Sequence, residues 1–347
     1  MDKKDEMDKV QEPHENANIK FVDEPVLDTS NNHIVQDPPS KSKIKHLVIA
    51  GGGPSGLNVY GALRKSHEMS VWSIDDIESI HGTSMGSLLA IFFALKYDWQ
   101  TIDDYLIKRP WHHIIKYDMQ TIFAAFSSRG VFDKKVFEET FRPLFSGLDI
   151  SMNITMEEFY NLTKIEIHAY TTDINEFCIV DISYKTHPSW TVIEAVYASC
   201  CLPVIFAPFE KDGKYYVDGG IFLNYPLEPC IKMCQNTDEI LGVRKHYVRS
   251  KNDTITETSN LMDYVFVLLN QTLKLVTKDV DHTMIKHEIV INSSVISIMD
   301  LLKIATSEED RTERIQLGVQ EAERWLSDNL FIVQEKENKN EDNPETE

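Results

Sequence analysis

The chain has 347 residues, a formal net charge of −20 and 42% hydrophobic residues. The acidic balance argues against nucleic acid as a partner, because phosphate binding depends on clustered Lys and Arg. The amino-terminal segment is too acidic for a signal peptide, and no run of about eighteen apolar residues spans a membrane. Five cysteines without a C-x-x-C pair favour a reducing compartment over a disulfide framework. We therefore expect an intracellular protein, soluble or peripheral to membranes.

Both ends of the chain have the composition of tails. Residues 1–43 and 331–347 carry many charged and amide side chains and show no apolar period. Such segments cannot bury enough apolar surface to form a packed core. We expect an acidic and polar tail, disordered or loosely attached, at the amino end, one domain over residues 44–330, and an acidic disordered tail at the carboxyl end.

Within the body, short β-rich runs alternate with helical segments. Strands are predicted at 164–170 and 178–183, and a closing helix at 307–326. Ser307 followed by Asp310 resembles a helix cap. This alternation is typical of an α/β fold with a largely parallel sheet covered by helices.

The first motif is a glycine-rich turn after the apolar run 47–50. Its glycines fit G-x-G-x-x-G at Gly51, Gly53 and Gly56. The helix predicted from Leu57 leaves its first N–H groups free, and these suit an anion. One interpretation is the pyrophosphate of a flavin or nicotinamide, with Asp75 or Asp76, about twenty residues later, holding the ribose. The other is a transient oxyanion.

The second motif, Gly82-Thr83-Ser84-Met85-Gly86, fits G-x-S-x-G between a β-like run and a strongly apolar helix. This setting is typical of a nucleophile elbow, in which Ser84 stands at the head of the helix. The Met85 N–H then points at the oxygen that gains charge when Ser84 attacks a carbonyl. In serine hydrolases a glycine-rich turn after another strand supplies a further donor, and Gly52 and Gly53 fit that role.

An apolar segment follows the elbow helix and is the best candidate for a lid or acyl groove. Its large side chains are Trp111, Ile114, Ile115, Ile122, Phe123 and Phe126. Core helices explain the same pattern, so both interpretations stay open.

The third motif, Asp218-Gly219-Gly220, follows a probable strand. An acid before two glycines forms turns, but it also supplies the base that a serine nucleophile needs. A Ser-Asp-His triad would instead recruit a downstream histidine. The candidates are His246, His282 and His287, and none stands in a recognisable motif. His81, directly before the elbow, is predicted to pack at a strand end.

These motifs together resemble the patatin-like phospholipases. The resemblance rests on G-G-G-x-x-G at 51–56, G-x-S-x-G at 82–86, A-x-x-A-S at 195–199, and D-G-G at 218–220 followed by Asn224 and Pro226. The chain departs from the family at two positions, with Ser55 and Tyr197 where many members carry a basic residue.

The resemblance implies a three-layer α/β/α fold with a mostly parallel central sheet. It also implies a Ser-Asp dyad that hydrolyses lipid acyl esters without a histidine, a metal or a cofactor. Ser84 is then the nucleophile, Asp218 the base, and Gly52, Gly53 and Met85 the oxyanion hole. The substrate is a phospholipid or another acyl-ester lipid, presented by a membrane or micelle surface.

Three hypotheses follow from the sequence. The favoured one is a lipid acyl hydrolase that works through an acyl-enzyme. The second is a flavin- or nicotinamide-dependent oxidoreductase that uses the first glycine-rich turn. The third is a lipid-binding scaffold in which the region around Ser55 no longer holds the oxyanion. The sequence does not specify the head group, the acyl position or the oligomeric state.

Overall fold

The computed structural model describes residues 43–116, 125–248, 254–257, 259, 261–278, 283–293 and 298–341. The predictions for residues 1–42 and 342–347, and for Ile122, Phe123 and His282, lie outside the described residues. The described residues belong to the compact unit Ser42–Glu347.

The centre of the fold is an eight-stranded sheet. Its five parallel strands are β1 (His46–Ile49), β2 (Ser79–Thr83), β4 (Glu166–Asp173), β9 (Ile240–Tyr247) and β10 (His287–Ser293). Its antiparallel strands are β5 (Cys178–Ile182), β7 (Phe209–Lys211) and β8 (Lys214–Asp218). The strand order is β10-β9-β1-β2-β4-β8-β7, with β5 paired to β4. The short strands β3 (Gly130–Phe132) and β6 (Val204–Phe206) form a separate parallel pair.

Helices cover the sheet. They are α1 (Gly56–Glu68), α2 (Met85–Ala94), α3 (Trp99–Lys108), α4 (Lys135–Gly147), α5 (Met156–Thr163), α6 (Val192–Cys200), α7 (Leu227–Met233), α8 (Leu261–Lys278), α9 (Ile298–Thr306) and α10 (Glu308–Glu341). The predicted mixed α/β fold with a mostly parallel central sheet is confirmed. No helix in the described parts of the chain is both long enough and apolar enough to cross a bilayer.

The alternation of side chains along β1 explains the layers. Leu47 and Ile49 point into the main core, to which α1 and α2 contribute, whereas Val48 packs with Leu227 of α7 and with Ile285 on the other face. All three β1 side chains are fully buried. Burying one such side chain contributes about 1.5–3 kcal/mol, so apolar packing holds helices to both faces of the sheet.

The closing helix starts as the sequence predicts. The Ser307 hydroxyl accepts a hydrogen bond from the Asp310 N–H at 3.0 Å, and the buried Ile315 and Ala322 join the main core. The helix then continues through 331–341, where the sequence analysis placed the start of an acidic tail. That stretch contains three Glu and two Lys, which extend an existing helix at little cost.

Candidate active site

The three motifs meet at one edge of the sheet. Because β1 and β2 are parallel, with Ile49 opposite Gly82, their carboxyl ends lie side by side. The glycine-rich turn leaves from the first and the elbow from the second. Strand β8 is antiparallel to β4 and carries Asp218 at its end. The three segments thereby converge on Ser84.

The elbow around Ser84 is held in a strained conformation. Ser84 has φ 53° and ψ −125°, a combination that costs a residue with a side chain about 1–3 kcal/mol. A Cβ on Gly82 would collide with the backbone of Gly86, and a Cβ on Gly86 would collide with the Ile49 carbonyl. The strained turn therefore requires glycine at both positions. This turn presents the Ser84 hydroxyl above the start of α2.

A buried serine on α6 fixes the backbone of the elbow. The hydroxyl of Ser199 accepts a hydrogen bond from the Ser84 N–H at 2.9 Å and donates one to the Tyr170 carbonyl at 2.6 Å. Ser199 is fully buried. It links Ser84 to the neighbouring strand β4.

Ser84 and Asp218 are in direct contact. The Ser84 Oγ donates a hydrogen bond to Asp218 Oδ2 at 2.6 Å, and the Gly220 N–H donates to Asp218 Oδ1 at 2.7 Å. Burial raises the pKa of Asp218 to about 6, against the opposing effects of Ser84, the Gly220 N–H and the Lys245 charge. At neutral pH the carboxylate is therefore ionised and more basic than an exposed aspartate, as a general base requires.

Three backbone N–H groups near Ser84, those of Gly52, Gly53 and Met85, donate no hydrogen bond within the described residues. Gly53 and Met85 border the same cavity as Ser84. The Met85 N–H also lies at the amino end of α2, where the helix dipole favours negative charge. Gly52, the third predicted donor, borders a neighbouring polar cavity.

The third motif ties the other two together. The Asn224 carbonyl accepts a hydrogen bond from the Gly51 N–H at 2.9 Å, and the Leu223 carbonyl accepts one from the Thr83 hydroxyl at 2.8 Å. The motif glycines allow this close approach. A Cβ would meet Asn224 Oδ1 at Gly51 or Gly220, the Tyr170 carbonyl at Gly219, and the Met85 side chain at Gly56.

An apolar cavity of about 170 Å³ opens at Ser84 and Asp218. Its apolar lining includes Leu57, Leu88, Phe92, Leu106, Trp111, Ile115, Val136, Leu202, Ile205, Phe206, Leu301 and Ile304. Two of the predicted lid or groove residues, Trp111 and Ile115, are thus in the lining. Phe126 is 79% exposed and is not part of it.

None of the histidines that the structure describes hydrogen-bonds to Ser84. His81 is buried and pairs through Nδ1 with the Tyr170 hydroxyl at 2.9 Å. His246 is exposed, and the His287 ring packs against Trp325. The triad interpretation therefore has no partner for Ser84 among them.

The acids required by the dinucleotide hypothesis lie at the opposite end of the sheet. Asp75 and Asp76 precede the first residue of β2, whereas the glycine-rich turn follows the last residue of β1. They form exposed ion pairs with Lys96 and Lys43. In the part of the chain that is described, no cluster of three or more His, Cys, Asp or Glu side chains is arranged to hold a metal ion.

The structure adds one residue that the sequence analysis missed. Lys245 of β9 is buried, and its Nζ donates a hydrogen bond to the Gly52 carbonyl at 3.2 Å. A signal was present, because Leu241, Val243 and Lys245 alternate along one face of the strand and the first two are core residues.

Comparisons with known proteins agree with this architecture. A family model described as patatin-like phospholipase matches residues 47–231, more than half of the chain. The chain is 24% identical over 233 residues to an uncharacterized protein of Acanthamoeba polyphaga mimivirus, covering 66% of this chain and 76% of that protein. It is 26% identical over 194 residues to a probable lipid hydrolase of Invertebrate iridescent virus 6, covering 54% of this chain and 63% of that protein.

One solved structure has a similar fold. VipD from Legionella pneumophila superposes with a TM-score of 0.50 at 15% sequence identity, covering 83% of this chain and 67% of that one. At this level of identity the superposition shows a similar fold and carries no information about activity.

Proposed function

Because this chain belongs to the patatin-like phospholipase family, we propose that it is a lipid acyl hydrolase with Ser84 as nucleophile and Asp218 as general base. The observation that carries the proposal is the 2.6 Å hydrogen bond from Ser84 Oγ to Asp218 Oδ2 inside an apolar cavity. A serine hydroxyl is a weak nucleophile unless an adjacent base accepts its proton. Asp218 Oδ2 accepts the hydrogen bond from Ser84 Oγ, so it is placed to take that proton.

The proposed reaction has two stages, formation of an acyl-enzyme and its hydrolysis. Asp218 takes the proton from Ser84 as Oγ attacks the acyl carbonyl, and the N–H groups of Gly53 and Met85 stabilise the resulting oxyanion. The proton then passes to the leaving alcohol, which departs as the acyl-enzyme forms. Water then attacks the acyl carbonyl while Asp218 takes a proton from it, and Asp218 returns that proton to Ser84 Oγ as the ester bond breaks and the fatty acid is released. No step uses a metal or a cofactor.

The cavity indicates the kind of substrate. Its walls are mainly aliphatic and aromatic, so they fit the hydrocarbon chain of a fatty-acyl ester. A phospholipid or another acyl-ester lipid meets this requirement, and a membrane or micelle surface would present it.

The scaffold hypothesis leaves the site unexplained. A scaffold needs neither a strained serine nor a buried carboxylate bonded to it, and both are unfavourable to folding. The oxidoreductase hypothesis loses its ribose-binding acid, since Asp75 and Asp76 lie at the wrong end of β2.

The test is release of labelled fatty acid from mixed phospholipid vesicles, with a chelator present throughout. Wild type, Ser84→Ala and Asp218→Asn are compared with two exposed controls, Ser146→Ala on α4 and Asp212→Asn in the β7–β8 turn. We expect release by the wild type and both controls, and a loss of at least about 1,000-fold in Ser84→Ala and Asp218→Asn.

A second readout does not depend on the natural lipid. An alkyl fluorophosphonate should label the wild-type protein at Ser84 and fail to label Ser84→Ala. Folded wild type that binds vesicles but neither releases fatty acid nor takes up the label would support the scaffold and sink the hydrolase proposal. Flavin absorbance in purified protein would favour the oxidoreductase.

A further inference from the structure

Lys245 carries a buried amine whose position the proposed mechanism does not explain. The residue is 8% exposed, its Nζ lies 5.2 Å from the centre of the Tyr247 ring, and the Asp218 carboxylate interacts with it electrostatically. Burying an ammonium group without a direct ion pair is unfavourable. The hydrogen-bond acceptor of Lys245 Nζ is the Gly52 carbonyl at 3.2 Å.

The Gly52 carbonyl accepts three hydrogen bonds. Besides Lys245 Nζ, the hydroxyl of Ser55 donates to it at 2.9 Å and the Ser55 N–H at 3.2 Å. Two of these donors are side chains that come from separate parts of the fold, the glycine-rich turn and strand β9. Together they hold the carbonyl oxygen in one direction.

The direction of that carbonyl sets the direction of the Gly53 N–H. Both groups belong to one peptide unit, and in a planar trans peptide they point to opposite sides. The two glycines also border different cavities, Gly52 a polar one of about 290 Å³ and Gly53 the apolar one that contains Ser84. When the Gly52 carbonyl oxygen points toward Lys245 and Ser55, the Gly53 N–H therefore points toward Ser84.

This peptide needs external restraint. A bond between two glycines has few steric barriers to reorientation, and Gly53 has φ 48°, in the left-handed region. A reversed peptide would present a carbonyl oxygen to the developing oxyanion in place of a donor. An oxyanion hole works only when its donors are already oriented.

We infer that Lys245 and Ser55 form a carbonyl clamp that orients the Gly52–Gly53 peptide so that the Gly53 N–H serves the oxyanion hole. They are positioning residues, since they act through the backbone and not on the substrate. The inference rests on the proposed function. It also gives Ser55 a role in holding the glycine-rich turn, at a position where many members of the family carry a basic residue.

The protonation state of Lys245 changes near neutral pH. Burial lowers the pKa of Lys245 to about 7, while the Asp218 carboxylate opposes that shift. The amine donates a hydrogen bond in either protonation state, so the clamp does not depend on the charge.

The test compares wild type with Lys245→Met, Ser55→Ala and the double variant on a soluble acyl ester at pH 8.5, where Asp218 is ionised. Methionine keeps the length and packing of the lysine, and Lys232→Met on the exposed face of α7 is the matched control. We expect kcat to fall about 10-fold to 100-fold in Lys245→Met, about 10-fold in Ser55→Ala and further in the double variant, with KM within twofold.

Binding of two inhibitors separates positioning from general structural damage. An alkyl trifluoromethyl ketone adds the serine hydroxyl and forms an oxyanion, whereas an ether lipid has no carbonyl and reports the acyl cavity alone. The variants should bind the ketone about 10-fold to 100-fold more weakly and the ether equally well. Ser55→Ala carries the test if Lys245→Met does not fold.

Unchanged kcat and ketone affinity in all folded clamp variants would overturn the inference. The proposed function would then still stand if Ser84→Ala and Asp218→Asn were inactive. Equal weakening of the ketone and the ether would also overturn it, because that pattern indicates a damaged cavity. A wild type without esterase activity or ketone binding would overturn the proposed function and this inference with it.

Discussion

Thr83 and Asp218 lie opposite consecutive residues of strand β4, Thr83 opposite Tyr170 and Asp218 opposite Thr171. Strand β5 pairs with residues 169–173 of β4 and so occupies one edge of that strand. Strands β2 and β8 therefore lie one after the other along the opposite edge of β4. Ser84 comes directly after Thr83. Strand β4 therefore sets the distance between Ser84 and Asp218, which are 134 residues apart in the chain.

Ser199→Ala tests the link between this edge and the elbow. The change leaves the Ser84 N–H and the Tyr170 carbonyl buried without their partner, which costs about 1–3 kcal/mol. We expect a lower urea midpoint at an unchanged m-value and a fall in kcat of about tenfold. Ser146→Ala on the exposed face of α4 is the control and should match wild type. A variant as stable and active as wild type would show that the elbow needs no such support.

Asp218→Asn should make the protein more stable at neutral pH. Unfolded aspartate loses its proton near pH 3.9, whereas burial raises the pKa of folded Asp218 to about 6. Between these values the unfolded state binds fewer protons, so the free energy of unfolding falls as pH rises and stays lower above pH 6. Asparagine avoids this loss, and we expect a gain of about 1–3 kcal/mol at pH 7.5.

Urea unfolding of Asp218→Asn and wild type at pH 4.5 and pH 7.5 measures that gain. The difference between the two proteins should shrink at the lower pH. Asp212→Asn, in an exposed turn, should show no such pH dependence. A less stable Asp218→Asn at pH 7.5 would mean that its hydrogen bonds outweigh the burial of the charge.

The pH dependence of kcat/KM reports the same carboxyl group. In the proposed mechanism Asp218 must be ionised, so kcat/KM should rise with pH to a plateau with a midpoint near the Asp218 pKa of about 6. The Lys245 charge lowers that pKa, so Lys245→Met should move the midpoint to higher pH. Profiles on a soluble ester between pH 4.5 and 9 measure the shift, with Lys232→Met as control. A downward shift would contradict the assigned base.

Val136→Phe should shorten the acyl chain that the site accepts. Val136 is half-buried and lines the apolar cavity next to Phe137. A larger ring there takes up space, and a single methylene in a hydrophobic pocket changes kcat/KM by about 10-fold or more. We expect long-chain esters to lose at least about tenfold relative to short-chain esters. Ile179→Phe on the exposed strand β5 is the control, and an unchanged preference would exclude this cavity as the acyl site.

The parts of the site that were predictable from sequence are those that local chain geometry encodes. A strand, a glycine-flanked serine and an apolar helix specify the elbow whatever surrounds them, and the glycines of the first turn do the same. The three motifs in order were enough to predict the α/β fold and to nominate Ser84 and Asp218. Ser307 marked the start of the closing helix for the same local reason.

Residues whose role depends on distant contacts were not predictable in this way. The alternation along β9 indicates that Lys245 is buried, but its contact with Gly52 exists only because β9 pairs with β1. Trp111 and Phe126 look equivalent in the chain, yet Trp111 lines the cavity and Phe126 faces solvent.

The sequence by itself therefore determined the fold class and the strained turn, and it nominated Ser84 and Asp218 as the reactive side chains. Each of these follows from backbone geometry and side-chain chemistry within a few residues. Tertiary structure alone decided the 2.6 Å contact between Ser84 and Asp218, the raised pKa of Asp218 and the hydrogen bond from Lys245 to the Gly52 carbonyl. These depend on strand register, burial and hydrogen bonds between segments far apart in the chain, and such interactions exist only once the sheet has formed.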